Sequence, residues 1–377
     1  MIEPKVIPRE GILIPVDLAD LKEETVNYLD LSHLKTGSIK TAVGDVIQID
    51  SRMQLIDYLH EIRARFSIKR NELAITPGLY AIGNPDQLSP VLVTCNYKLT
   101  FDKLRTELTG LDLWLMVIDT KGVNVWCSAG KGTFSAQEII NRIRKTELDK
   151  IVSHRRLILP QLSASGVAAR FVAKYTGFKI TFGPIRAADI KQFIADGYKT
   201  NAQMRRVTFD LAERAVLTPL ELVMAGKYIP IIIVLFSLIN IIGPANPHSG
   251  SLLESIFYNS LAYIAALLVG TVLTPVLLPI LPFRSFALKG AAAGIIFSVM
   301  VIYGYEFFRF SSQWTVMLGN SLLLTALVSF LTLNFTGSTP YTSFTGTQQE
   351  TLKAVPIQIL ASLLGLVLLV VSRFTAF

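Results

Sequence analysis

The stretch Leu113-Trp-Leu-Met-Val-Ile-Asp-Thr-Lys-Gly-Val-Asn-Val-Trp-Cys-Ser-Ala-Gly-Lys131 runs from an apolar strand through a polar turn to a cysteine. Residues 113–119 read as a buried strand, its first six residues an uninterrupted apolar run of the kind buried on both faces of a sheet, and residues 122–126 read as an extended approach to a turn. Gly130 and Gly132 let the backbone come close to a ligand. Ser135 followed by Glu138 has the spacing of a capping box, which predicts a helix from Ser135 to about Arg144. Cys127 then stands between a strand end and the positive end of a helix, with Lys131 adding charge beside it. By composition alone, a cysteine in that position is a small buried hydrophobe; the alternative is a thiol offered to a ligand.

Outward from this segment, strand and helix patterns alternate, as expected of a parallel sheet covered by helices. Residues 90–95 predict a strand, 101–108 a helix and 156–159 a short strand. Residues 166–175 read as a helix stopped by Gly177, 178–182 as a strand ending at Gly183-Pro184, and 187–194 as a helix. In such folds ligands lie outside the carboxyl ends of the strands. Those ends are Thr94-Cys95-Asn96, Asp119-Thr120, Trp126-Cys127, Pro160-Gln161 and Gly183-Pro184, which puts Cys127 on the ligand-binding rim.

Composition divides the chain. Of 377 residues 51% are hydrophobic, and the mean hydropathy is +0.47. That is too apolar for an ordinary soluble protein and too charged for one lying wholly in a membrane. Most of the charge falls before residue 220. Beyond it, residues 226–243, 256–281, 287–303, 316–333 and 356–371 each approach the length that crosses a hydrocarbon core of about 30 Å. Five crossings put the two ends of the chain on opposite sides. Arg205, Arg206, Arg214, Lys227, Arg284, Lys289 and Lys353 flank one set of loops and Arg309 and Arg373 the other, a modest bias that predicts a cytoplasmic α/β part. The Arg205-Arg206 pair is expected to mark the membrane surface. The opening Met-Ile-Glu-Pro-Lys carries an acid and no apolar run, so it does not read as a secretory signal. A formal charge of +8 suits an anionic leaflet; a nucleic-acid partner is disfavoured because the basic residues are scattered without a recognition motif. The spans hold almost no ionisable residues in their middles, which disfavours a proton-coupled pump and leaves anchoring as the simplest role. Residues 334–350 form a polar, threonine- and glycine-rich stretch expected to be a loop.

Two cysteines and no C-x-x-C pair exclude a disulfide framework and a cysteine-ligated iron-sulfur cluster within this chain. No D-x-H-x-x-G motif occurs. His33, His60, His154 and His248 each read as solvated or structural rather than as ligands.

Asn124-Val-Trp-Cys-Ser-Ala-Gly-Lys131 resembles the signature of the corrinoid proteins of microbial mercury methylation, the HgcA family, itself related to the corrinoid domain of the corrinoid iron-sulfur protein. Pro77-Gly-Leu-Tyr80, Ser89-Pro-Val-Leu-Val-Thr94, Asn96-Tyr-Lys-Leu-Thr-Phe-Asp102, Leu157-Ile-Leu-Pro-Gln-Leu162 and Met204-Arg-Arg206 resemble the same family. The likeness covers roughly residues 55–377, and Ser128 stands where the family usually has alanine. It implies a leader over 1–54, an α/β Rossmann-like corrinoid-binding domain over 55–215 and an α-helical five-span transmembrane domain over 226–377, in a cytoplasmic membrane. It also implies that the Cys127 thiolate binds the cobalt of a cobalamin, with the helix from Ser135 beside the ring. Signature and rim together nominate Thr94, Asn96, Asn124, Val125, Trp126, Cys127, Ser128, Ala129, Gly130, Lys131, Gln161, Gly166 and Gly183 as cofactor-binding. Trp126 is expected to wall the site, and Lys131 is equally a solvated residue or a partner of the cofactor. Cys95 reads as a buried hydrophobe rather than a mercury ligand.

The implied activity is that of a corrinoid methyltransferase passing a methyl group to Hg(II), giving methylmercury. A thiolate opposite the methyl favours transfer with carbanion or radical character, which a soft electrophile accepts. Remethylation implies a methyl-folate donor and a low-potential, ferredoxin-like partner with two 4Fe-4S clusters, of the HgcB type, to which the 334–350 stretch is a candidate docking surface. Two other readings stay open. One is a corrinoid methyl carrier for another acceptor, as in acetyl-CoA synthesis, against which the missing four-cysteine motif counts. The other is a transporter with a regulatory domain and no cofactor. Nothing in the chain beyond the thiolate argument selects mercury.

Overall fold

The chain divides into two compact units in the computed structural model, which describes residues 28–68, 72–242, 251–342 and 344–375. One unit is built on residues up to Gln54 together with Asn71–Thr200, the other on Leu55–Arg70 with Asn201–Phe377. The first fold boundary is thus not a simple cut after residue 54: the segment Leu55–Arg70, which holds helix α1 (Leu55–Arg65), groups with the helical unit. The opening pentapeptide, position 243 and His248 lie outside the described residues.

The α/β unit carries one seven-stranded sheet. Its strands are β1 (Lys35–Thr41), β2 (Gly44–Ile49), β3 (Gly78–Ile82), β4 (Val91–Cys95), β5 (Leu113–Ile118), β6 (Arg156–Leu159) and β7 (Lys179–Phe182), in the order β1-β2-β3-β5-β4-β6-β7. The four neighbours β5, β4, β6 and β7 run parallel, as expected of the Rossmann-like reading. Every residue of β4 and β5 is buried, which is what unbroken apolar runs such as Leu-Trp-Leu-Met-Val-Ile demand. The sheet as a whole is mixed rather than parallel. β3 joins β5 antiparallel, and the β1–β2 hairpin, from residues expected to be an unassigned leader, adds through β2. Its burial alternates in β1, so one face is wet.

Helices α2 (Lys98–Glu107), α3 (Val125–Lys131), α4 (Ala136–Lys145), α5 (Leu148–Ile151), α6 (Ala169–Thr176) and α7 (Ile190–Ala195) accompany the sheet. A buried ionic cluster ties the leader to α2. Asp102 accepts from Lys98 Nζ at 2.5 Å and from Arg105 Nε at 2.9 Å, and Arg105 Nη1 donates to the carbonyls of Asp50 and Arg52 at 2.8 and 2.6 Å. Each buried charge is thereby paired and hydrogen-bonded, the condition under which burial is tolerated.

The helical unit continues with α8 (Leu211–Ala215), α9 (Thr218–Gly226), α10 (Ile229–Ile241), α11 (Leu252–Leu268), α12 (Thr274–Leu277), α13 (Phe286–Tyr303), α14 (Trp314–Asn334) and α15 (Phe344–Thr375). Among the described residues four helical stretches are long and apolar enough to cross a membrane: Leu252–Leu277, Phe286–Tyr303, Trp314–Gly337 and Thr345–Thr375. A fifth crossing exists only if Leu211–Gly226 and Ile229–Ile241, bent by 44° at their junction, count as one broken span. The break follows from Gly226 and from Pro230 in the first turn of α10. Pro275 also deforms Leu252–Leu277, which passes through a π turn at Val269–Leu273. Glycines bring helices close: a Cβ on Gly319 would meet the Gly365 carbonyl at 2.9 Å, and one on Gly365 would meet the Gly319 carbonyl at 2.8 Å.

Residues 334–350 are not one flexible loop. Phe335–Ser338 is a 3-10 turn, and Phe344 already begins α15, so the polar residues before Pro356 are helical. Glu350 accepts from the Ser285 hydroxyl and the Ala287 N–H, both at 2.8 Å, at the start of α13. Arg214 donates to Val276 O at 3.1 Å, and Lys289 donates to Leu278 O and Leu281 O, so two cations meet carbonyls at and just past the end of Leu252–Leu277. The same end of this unit therefore gathers the starts of α8, α13 and α15. At the other end Arg373 donates to Ile239 O and Asn240 Oδ1.

Candidate functional site

Cys127 lies inside a helix, not at a strand end. Residues 122–126 were expected to be extended, but Val125 and Trp126 open α3 and Cys127 completes its first turn. The cause is Asn124: its side chain accepts from the Cys127 N–H at 2.9 Å and caps the helix, a signal masked by the β-branched and aromatic residues around it. Gly132 ends α3 in the left-handed region at φ 78°, so its freedom is spent on a helix stop. Gly130 has open space where a Cβ would stand.

The position of α3 over the sheet follows from its connections. It hangs from the end of β5 through residues 119–124 and packs against the turn Gln161–Ser163 that follows β6. Because β4 lies between β5 and β6, α3 crosses over the carboxyl end of β4. This is where the crossovers leave in opposite directions, from β4 to β5 on one side and β6 to β7 on the other, the crevice in which open α/β sheets bind ligands.

Beneath α3, the buried Asn96 side chain organises the connecting loop. Its Oδ1 accepts from the N–H of Thr120 and of Gly122, both at 3.0 Å, and its Nδ2 donates to Asp119 Oδ1 at 3.0 Å. The Thr120 hydroxyl bridges Asn96 Oδ1 at 2.9 Å and the Val123 carbonyl at 2.7 Å. Glu138 completes the frame, and here too the expected geometry changes. Ser135 does cap α4, accepting from the Glu138 N–H, but Glu138 does not return the bond. Instead its carboxylate accepts from the Asp119 N–H at 3.0 Å and from Arg142 at 2.7 Å, while Arg142 also donates to Pro77 O. The Glu138–Arg142 pair thus fastens α4 to the loop before α3 and to the start of β3. Sequence reading missed this role because the spacing of Glu138 fits a local capping box equally well.

The remaining nominated residues separate into two groups. Trp126, Cys127, Gly130 and Lys131 are exposed along α3, with Trp126 at 43% accessibility beside the thiol. Val125, Ser128 and Ala129 form its buried side; the Ser128 hydroxyl donates to the carbonyls of Asn124 at 2.6 Å and Val125 at 3.0 Å, a local bond that alanine does without at no cost to neighbours. Gly166 packs against this buried side: a Cβ there would stand 2.6 Å from Phe134 O and 2.8 Å from Ala129 O. Gln161, in the turn after β6, has its side-chain Oε1 buried and without a hydrogen-bond partner among the described residues. Thr94 is buried within β4, and Gly183 is packed between Ile158 and Phe193 just past the end of β7. Cys95 is fully buried, and burial pushes its thiol up from the ordinary value.

These residues suit a flat, amide-edged macrocycle. A soft sulfur and an indole stand exposed side by side, a glycine leaves room for close approach, and an orphaned carbonyl offers an acceptor where burial without a partner is costly.

Fold and site define an α/β domain that presents one thiol above the carboxyl ends of its parallel strands. Residues 38–194 match the family of the CO dehydrogenase/acetyl-CoA synthase delta subunit. The acetyl-CoA decarbonylase/synthase complex subunit gamma of Archaeoglobus fulgidus is 33% identical over 156 residues, 40% of this chain and 33% of that protein. The same subunit of Methanopyrus kandleri is 32% identical over 142 residues, 37% of this chain and 30% of its own length. The corrinoid/iron-sulfur protein large subunit of Moorella thermoacetica is 28% identical over 150 residues, 39% of this chain and 33% of that subunit. The chain thus spans about a third of these curated relatives, and the matched region is the α/β unit, related to the corrinoid/iron-sulfur protein.

Proposed function

We propose that the protein is a membrane-anchored corrinoid methyl carrier that delivers a methyl group to Hg(II). The observation that carries the proposal is the exposed Cys127 thiol on α3, set over the strand crevice beside Trp126 in a domain related to the corrinoid/iron-sulfur protein large subunit. Cys127 would hold the cobalt of the corrinoid, and Trp126, Gly130 and Gln161 would help to bind the macrocycle, the first two from the exposed side of the same helix and Gln161 through its partnerless Oε1. The bound corrinoid supplies a transferable methyl group. The chain supplies a soft, charge-donating ligand on a helix whose loop is locked by Asn96 and Glu138, so that the sulfur is held in place. Two cysteines, one of them buried, are too few for a 4Fe-4S cluster, which supports a separate ferredoxin-like partner of the HgcB type as the source of low-potential electrons and a methyl-folate-linked donor for reloading. The end of the helical unit rich in Arg214 and Lys289 is proposed to face the cytoplasm, in a cytoplasmic membrane.

The test is an absorption spectrum of the full chain in detergent, loaded with methylcobalamin, beside Cys127→Ala. A thiolate-ligated, base-off spectrum lost in the variant is the expected result, followed by methylmercury formation on adding Hg(II). An unbound cofactor, or an unchanged spectrum in the variant, sinks the assignment of Cys127. A second reading is favoured by the acetyl-CoA decarbonylase/synthase relatives: the same carrier serving a different methyl acceptor. It predicts the cobalt-thiolate spectrum without methyl transfer to Hg(II).

A further inference from the structure

Helix α1 has its amphipathic faces reversed for a helix in water. Leu55, Tyr58, Leu59, Ile62 and Phe66 recur at three- and four-residue spacing and so share one face. That face is open, from 42% exposure at Phe66 to 77% at Leu55. The opposite face, with Asp57, His60 and Ala64, is turned inward, Asp57 at 0% and His60 at 7%. A protein surrounded only by water buries the other side of such a helix.

We infer that α1 lies in the plane of the membrane interface, with its apolar face in lipid. Four observations select lipid as the occupant. The segment Leu55–Arg70 belongs to the unit that carries the long apolar helices, not to the sheet unit beside it in sequence. Ser67, just past the helix, lines a cleft of about 510 Å³ with Glu221, Lys227, Tyr228, Phe330 and Asn334. That places the end of α1 where α14 finishes, the end of the unit already rich in Arg214 and Lys289. Arg63 and Arg65 stand in its last turn and Lys69-Arg70 follow in sequence, charges suited to anionic headgroups, while Tyr58 and Phe66 are rings of the kind that settle at this depth. At 1.5 Å per residue a helix of this size covers about 16 Å, too little to cross the bilayer, so it lies flat. The inference rests on the membrane reading of the helical unit.

The experiment uses the full chain in nanodiscs of phosphatidylcholine with one third phosphatidylglycerol. Benzoylphenylalanine is placed singly at Ile62, at Leu364 on the exposed side of α15, and at Lys40 on the β1–β2 hairpin. After irradiation, intact mass spectrometry reads the adducts. The expected result is a mass gain of one phospholipid at Ile62 and Leu364 and none at Lys40. Lipid at Leu364 with no adduct, or only a second chain, at Ile62 overturns the interfacial helix and leaves the anchor standing. No lipid at either position overturns both.

Discussion

Asn96 shows how much of this protein rests on single polar side chains. It is fully buried and serves four donors and acceptors of the loop that suspends α3. Asn96→Ala leaves those backbone N–H groups unsatisfied, and we expect a loss of about 2–3 kcal/mol, at about 1 kcal/mol net per bond, measured by chemical denaturation of the full chain followed at the α/β unit. Gly166 is constrained differently, by space. Gly166→Ala forces a methyl against the Phe134 and Ala129 carbonyls and should cost about 1–3 kcal/mol in the same measurement. The two cysteines differ enough to be told apart by labelling. One equivalent of maleimide is expected to react with the native protein, at Cys127, and two after denaturation; rapid labelling of native Cys95 would contradict its burial. Of these properties, the burial of Cys95 could be read from its apolar strand. The role of Asn96 could not, since its partners lie more than twenty residues away in sequence.

At the scale of the element, α3 depends on its two ends. Asn124→Ala removes the cap that accepts from the Cys127 N–H and is expected to cost about 1 kcal/mol. Gly132→Ala asks alanine to adopt φ 78° and should cost about 1–2 kcal/mol. If α3 is what presents Cys127, both variants weaken retention of methylcobalamin by more than Gly130→Ala, which meets open space; equal retention in all three would detach the thiol's role from the helix. The mistaken extension of the strand through Trp126 has a plain origin. Val123, Val125 and Trp126 favour strands locally, and a seven-residue helix draws its stability from packing rather than propensity. Packing of α3 on the Gln161–Ser163 turn is a fact of the tertiary structure alone.

For the molecule as a whole, the helical unit is joined by close backbone approach and by polar contacts between helices. Tyr263 donates to Asn320 Oδ1 at 2.8 Å, and Gln358 Nε2 donates to Ser329 Oγ at 2.8 Å, which itself donates to Ala287 O. Gly319→Leu is expected to part α14 from α15, because even a Cβ stands 2.9 Å from the Gly365 carbonyl. The unfolding midpoint of the full chain in detergent should fall by several degrees, with the α/β unit's spectrum unchanged. Such contacts give the polar side chains of the described helices their partners, in neighbouring backbone and in one another.

Hydropathy and periodicity alone determined the division into a charged α/β part and an apolar helical part and the parallel strands β4 to β7; Cys127 as a candidate ligand-facing thiol came from the family resemblance of its octapeptide. Those features are written in runs of neighbouring residues, where burial on both faces or a lipid-length helix leaves a direct signature. The tertiary structure decided the rest: the added β1–β2 hairpin and antiparallel β3, the helix around Cys127, the broken span at Gly226 and the folding of residues 344–350 into α15. It also decided that Leu55–Arg70 leaves its neighbours in sequence for the helical unit. The added strands and the grouping of Leu55–Arg70 depend on pairing between distant segments, whose free energy outweighs local preference, whereas the Asn124 cap and the break at Gly226 and Pro230 are local signals outvoted by the strand-like and apolar residues around them.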